Sequence, residues 1–248
     1  NPNLAILDEE TEKRILQSQE NVQKIVASDK TVYGINTGFG PLCDVKISDA
    51  ETAQLQHNLI ISHAVGVGKP IDKELSKIMM ITKIHALSKG YSGVTLNMVN
   101  RLILMLEKDI IPVVPEQGSV GASGDLAPLS HLVLPLIGLG EVWDNGQPTA
   151  TEIVLEKHGI QPLQLSAKEG LGLINGTQFI LSHAIKALEK FEYLLDLADV
   201  TAAMSIEAYR GSASPFKKEL HEIRPFDGSR KVAERMRWLL SDSENMKI

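Results

Sequence analysis

The segment GSVGASGDLAP, residues 118–128, places glycines at 118, 121 and 124 around one serine, Ser123, and then turns apolar. That pattern admits three readings. The first is a plain Gly/Ser loop, which composition alone favours. The second is a nucleophilic serine on a sharp strand-to-helix turn. Such an elbow needs G-x-S-x-G, but Gly124 directly follows Ser123 and Asp125 stands where the second glycine belongs. PVVPEQGSVGA ahead of it also carries two prolines where a buried strand is required. The third is a backbone that reacts with itself. If the chain bends sharply at Ala122-Ser123-Gly124, the Gly124 nitrogen can attack the Ala122 carbonyl carbon and close a five-membered ring. Loss of two waters then leaves an exocyclic methylidene on the former serine. Ala and Gly are small enough for that turn, Gly most of all because it lacks Cβ, and Ser supplies a β-hydroxyl that can leave. The product is an electrophile. These residues alone leave all three readings open.

Other chemistry-bearing residues are equally two-sided when read locally. Tyr33 lies in YGINTGFG, where it is either an exposed loop tyrosine or an acid/base group. A phenol with pKa ~10 is a poor base at neutral pH, so the second role needs positive potential nearby. His63 precedes AVGVG at a helix end, a place that favours a cation on dipole grounds alone. The GVG is not a nucleotide fingerprint, since no strand precedes it and no G-x-G-x-x-G is completed. Asn175-Gly176 reads as a turn. His57, His85, His131, His158, His183 and His221 show no metal-ligand spacing and read as structural or surface groups. Asp125 reads as a helix cap, and Lys168 and Glu169 as local ion pairs or caps.

Helices must position these groups. Residues 9–28 carry Ile15, Leu16, Val22, Ile25 and Val26 on one stripe. Ser48 and Glu51 have capping-box spacing, and Thr149 and Glu152 repeat it. Asp72 can cap a helix running to Ser88 and stopped by Gly90, and Thr95 another ending near Pro112. DLAPLSHLVLPLIG predicts a helix with Pro128 in its first turn; its N-terminus would bring partial positive charge beside the Ser123 segment. Asn145-Gly146 signals a hairpin. The stretch 178–209 lacks Gly and Pro and predicts one long helix. Ser214-Pro215 starts a short helix, and a last one runs from about Ser229 to Leu240. A helix of some 30 residues is ~45 Å long and needs several equally long partners to bury its apolar faces. Either the chain oligomerises heavily or it is a fragment.

The 248 residues suit one large or two modest domains. A hydrophobic share of 43% and a charged share of 23% are ordinary for a globular protein. The net charge of −6 and the lack of a Lys/Arg run argue against nucleic acid. No apolar run is long enough for a bilayer, no signal peptide opens the chain, and Cys43 is the single cysteine. A cytoplasmic protein without a membrane partner is expected. Aromatics are only 4%, so Leu, Ile, Val, Ala and Met must build the core.

GSVGASGDLAPLSH resembles the signature of the aromatic amino acid ammonia-lyases, and YGINTGFGPL (33–42), NLIISHAVGVG (58–68) and KEGLGLINGTQ (168–178) resemble further motifs of that family in the same order. The resemblance extends over essentially the whole chain and about the N-terminal half of a family chain. It implies a mainly α fold: an irregular helical N-terminal domain with Gly-rich active-site loops over 1–176, then the start of a long-helix bundle over 177–248, cut short. It implies that Ala122, Ser123 and Gly124 form 4-methylidene-imidazole-5-one, MIO, with no metal or diffusible cofactor. By the same resemblance Tyr33 is the catalytic tyrosine on a mobile lid hinged at Gly34, Gly38 and Gly40. His63 orients the substrate, the Asn175 amide contacts the ring or the substrate amine, Gln178 adds a contact, and the Leu126 backbone, and in the same way Leu173, lines the pocket.

Within the family, Ser62-His63, Asn36 and Gln178 resemble the branch acting on histidine; tyrosine-specific members tend to His-Leu and phenylalanine-specific ones to Phe-Leu at the first position. The implied reaction takes L-histidine to trans-urocanate and ammonia. Tyrosine or phenylalanine lyases and aminomutases are the alternatives within the family, and a serine hydrolase or a non-catalytic helical module lies outside it. The resemblance implies a homotetramer when full length, with further active-site groups in the other half and on neighbouring subunits. The 248 residues alone are therefore expected to be inactive.

Overall fold

A computed structural model describes residues 7–28, 31–32, 34–37, 49–121 and 124–246 of the chain. Helices dominate, as expected. In chain order they are α1 (Glu9–Val26), α2 (Asp49–His63), α3 (Lys73–Ser88), α4 (Leu96–Glu107), α5 (Leu126–Val133), α6 (Thr151–Lys157), α7 (Glu169–Ile174), α8 (Gln178–Ala208), α9 (Lys218–Ile223) and α10 (Asp227–Leu239). Five short strands intervene: β1 (Val67–Pro70), β2 (Ile111–Pro112), β3 (Pro115–Gln117), β4 (Glu141–Asp144) and β5 (Gln147–Ala150). The chain divides into two compact units, Asn1–Ala184 and Ile185–Ile248.

Local chemistry sets most element ends. The Asp8 carboxylate accepts from the Thr11 amide at 2.7 Å and caps α1; the Thr95 hydroxyl accepts from the Met98 amide at 3.2 Å and caps α4. Asp72 holds the cap position of α3 without a side-chain hydrogen bond. Two expected caps are shifted. α6 starts at Thr151 behind Ala150, not at Thr149; Thr149 belongs to β5, whose pairing with β4 claims its backbone. Ser214 is the first residue of a 3₁₀ turn capped by Ala213, with α9 following. Ser48 lies outside the described residues. The β4–β5 hairpin turns at Asn145 (φ 49°) and Gly146 (φ 79°), the two positive values a type I′ turn requires.

In the first unit α3 and α4 pack side by side, and α2, α5 and α7 pack on one another. Met79, Met80 and Leu87 of α3, Met98 and Leu102 of α4, Ile110, Ile111 and Leu129 form its centre. Of the α1 stripe, Ile15 is fully buried while Leu16 stays exposed. Strand β1 pairs antiparallel with β3, which ties the segment after α2 to the segment before Gly118. In the second unit Ala203 packs with Met236 and Leu240, Arg235 pairs with Asp196 and Asp199, and Leu188, Phe191, Leu194, Leu197 and Met204 of α8 are exposed. Among the described residues no helix is long and apolar enough to cross a membrane.

Candidate active site

The GSVGASGDLAP segment leaves β3 and enters α5. Gly118, Gly121 and Gly124 have φ of 152°, 68° and 140°. A Cβ on Gly124 would lie 2.8 Å from the Gly176 carbonyl oxygen. Only glycine fits there. Ala122, Ser123 and Tyr33 lie outside the described residues.

Asp125 joins this segment to the start of α8. It is fully buried. Its amide donates to the Gly176 carbonyl at 2.8 Å. Its Oδ2 accepts from the amides of Phe179 and Ile180, both at 3.1 Å, and its Oδ1 accepts from the Ser119 hydroxyl at 2.6 Å. Asp125 is a cap, but of α8, not of α5, whose amides its side chain does not bond. A carboxylate at a helix N-terminus meets two otherwise unsatisfied amides and the positive end of the dipole.

Asn175 follows α7 and is exposed. Its Nδ2 donates to the Leu171 carbonyl at 3.0 Å, as does its own backbone amide at 3.1 Å. With the amino group so used, Oδ1 is the end left to receive a donor. Gly176, next along, has φ 147°, and a Cβ there would fall 2.1 Å from Gln178 Oε1. That Gln178 oxygen is buried and meets no hydrogen-bond donor. Leu126 opens α5 beside Asp125, half-buried, while the Leu173 side chain is buried in the core. Gly124, Asn175 and Gln178 thus converge where α5, α7 and α8 meet.

His63 ends α2. Its Nδ1 lies 2.8 Å from the Leu59 carbonyl, an acceptor, so Nδ1 carries the proton and Nε2 is left as an acceptor. The loop after it is pinned to the Ser123 segment three ways. β1 pairs with β3, the Gly66 amide donates to His131 Nε2 at 3.0 Å, and a Cβ on Gly118 would come within 3.2 Å of the Gly66 Cα. His131 therefore has the proton on Nδ1, and burial pushes its pKa down. In the YGINTGFG loop, Ile35, Asn36 and Thr37 are buried. Asn36 Oδ1 accepts from the Val32 amide at 2.8 Å and the Thr37 hydroxyl from the Gly34 amide at 3.3 Å, bracketing Tyr33 in sequence.

Glu169 is a cap with a longer reach than expected. It accepts from Ser166 N at 2.6 Å, and from the Thr95 amide and hydroxyl at 3.1 and 2.6 Å. Lys83 of α3 escapes the motif-based reading altogether. It is 1% exposed, and its Nζ donates to the Asn175 carbonyl at 2.7 Å. Its signal is helical spacing: it sits four residues from both Met79 and Leu87, a cation on an apolar stripe. Among the described residues no cluster of three His, Cys, Asp or Glu side chains is placed to hold a metal ion.

The sequence model of the family described as aromatic amino acid lyase matches residues 3–247. The histidine ammonia-lyase of Streptococcus gordonii is 44% identical over 242 residues, 98% of this chain and 47% of the relative. A crystal structure of histidine ammonia-lyase from Trypanosoma cruzi superposes with a TM-score of 0.86 at 38% identity, covering 94% of this chain and 44% of that one. The tyrosine aminomutase of Streptomyces globisporus gives 0.87 at 35%, covering 95% and 44%. The chain spans about half the length of the curated relatives it matches.

Proposed function

The chain belongs to the aromatic amino acid lyase family, and on that premise we propose that the protein of which it forms part eliminates ammonia from L-histidine to give trans-urocanate. The observation that carries the substrate is the 44% identity with a histidine ammonia-lyase over nearly the whole chain. The chemistry removes a proton from the β-carbon and the amine from the α-carbon; the C–H electron pair becomes the π bond between Cα and Cβ, the proton goes to the base, and the protonated amine leaves as ammonia with the electron pair of the C–N bond.

The seat of Gly124 fits a ring built from Ala122, Ser123 and Gly124, because a third residue with any side chain would strike the Gly176 carbonyl. Such a ring supplies an electrophile, which no ordinary side chain offers. The chain's own residues do the rest. Tyr33 takes the β-proton, a role for which a phenol needs positive potential beside it. His63 Nε2, freed by the Nδ1 bond to Leu59, accepts the substrate imidazole N–H. Asn175 Oδ1 accepts from the substrate amine, and Gln178 Oε1 stands beside it as a second acceptor. The Leu126 backbone closes the wall.

We assign residues 1–176 to an active-site domain and 177–248 to the start of a helical bundle. The exposed apolar side chains of α8 support assembly of the full-length protein into a homo-oligomer, a tetramer in this reading. The test is intact mass, near-ultraviolet absorbance and product analysis of the full-length protein. We expect a chain two waters lighter than its sequence, a new chromophore, and urocanate with ammonia. Ser123→Ala should keep its full mass and lose turnover by about 10³-fold or more. A normal mass in the wild type, or lyase turnover retained in Ser123→Ala, overturns the reading. The likeness to a tyrosine aminomutase favours a second reading, and a β-amino acid product in place of urocanate would select it.

A further inference from the structure

We propose that Lys83 is a positioning residue for this site: its amine fixes the Asn175 carbonyl and thereby holds the 175–177 bridge against Gly124. The inference rests on the lyase reading for its activity readout only. Its geometric part stands on the structure.

The bridge between α7 and α8 is short: Asn175 keeps its local bonds to Leu171, and the carbonyls of the bridge are anchored from elsewhere in the chain. Asn175 O accepts from Lys83, 92 residues away in sequence. Gly176 O accepts from the Asp125 amide and is also the atom that a Cβ on Gly124 would strike. The amides of Phe179 and Ile180 beyond the bridge donate to the Asp125 carboxylate. Asp125 thus governs the α8 side of the bridge, and Lys83 the α7 side, next to the Asn175 amide. Without Lys83 the Asn175 carbonyl loses its partner, and the Asn175–Gly176 peptide, whose nitrogen backs Gly124, loses the hydrogen bond that holds its carbonyl end.

The position is a costly one for a lysine. Burial alone brings its pKa down to about 7, and among the described residues no carboxylate pairs with it. An apolar side chain of like length is the better choice for stability at such a site. Both the charged and the neutral amine keep an N–H, so the bond to Asn175 O survives either protonation state. A cation at the carbonyl end of α7 also suits that helix.

The experiment uses the full-length protein with Lys83→Met, which keeps length and removes the donor, and Lys83→Arg, which keeps a donor. Three quantities are read: hydrogen exchange of the 175–180 amides against those of α4, intact mass, and turnover per ring-bearing site. In Lys83→Met we expect exchange over 175–180 to speed about tenfold or more while α4 is unchanged. We also expect either no ring in the folded protein or turnover per ring lower by about tenfold or more. Lys83→Arg should recover part of both. Normalising to ring-bearing sites removes any effect of fewer folded molecules, which is all a merely structural lysine would produce. Unchanged exchange, or turnover per ring within tenfold of wild type, overturns the proposal. If Lys83→Met fails to fold, Lys83→Arg decides: exchange over 175–180 and turnover per ring that stay near wild type together, or fall short of it together, support the donor role, and a folded Lys83→Arg that loses turnover with undisturbed exchange overturns it. Loosened exchange in a protein whose wild type shows no lyase activity would sink the lyase reading and leave the positioning role standing.

Discussion

His131 stands half-buried on α5 and accepts the Gly66 amide through Nε2, so protonation there destroys the bond. Burial lowers its pKa from the ordinary value near 6.5. The unfolded chain therefore takes up this proton at higher pH than the folded one. The contribution to stability is whole above about pH 6.5 and is lost as pH falls through the lower folded value. His131→Gln offers a non-titrating acceptor. Denaturant midpoints of the full-length protein at pH 7.5 and 5.5 should fall less in that variant than in the wild type. An equal fall in both would mean that His131 does not carry this dependence. Gly124 and Gly176 show the opposite kind of residue-scale constraint, since each is defined by the side chain it cannot carry.

Asp125 decides what happens between elements. It is placed by α5 but caps α8, with its carboxylate against the Phe179 and Ile180 amides. Asp125→Ala would orphan both amides and take a counter-charge from the α8 dipole. We expect a loss of about 2–4 kcal/mol in the unfolding free energy of the full-length protein. Asp125→Asn keeps an acceptor oxygen and should lose roughly half as much. Denaturant unfolding of the two variants checks this; an Asp125→Ala protein as stable as the wild type would mean that solvent or a rearranged α8 start replaces the cap. The β1–β3 ladder and the His131–Gly66 bond do similar work at the other end of the segment, bringing the stretch after His63 to Gly118.

For the whole molecule, the decisive feature is α8, 31 residues long and carrying Leu188, Phe191, Leu194, Leu197 and Met204 exposed. That much apolar surface on one helix calls for a covering partner. We expect the isolated 248-residue chain to associate with rising concentration and to form no urocanate, while the full-length protein turns histidine over. Light scattering and a product assay on both check this, and urocanate from the isolated chain would contradict it.

Much of this was legible in the residues. The breaker-free stretch 178–209 predicted α8, Thr95 its own cap, and Asn145-Gly146 the hairpin, because each is a bargain between a side chain and backbone within a few positions. The motif set pointed to the family through residue type and order, while the Ala-Ser-Gly triplet by itself left a loop, an elbow and a ring open. What the tertiary structure decided is which groups answer one another at a distance. Asp125 was legible as a cap, but its helix begins 53 residues later; Lys83 was passed over, since no motif includes it and its partner is 92 residues away. Local spacing reaches one helical turn, and a buried charge takes whatever partner the fold brings to it.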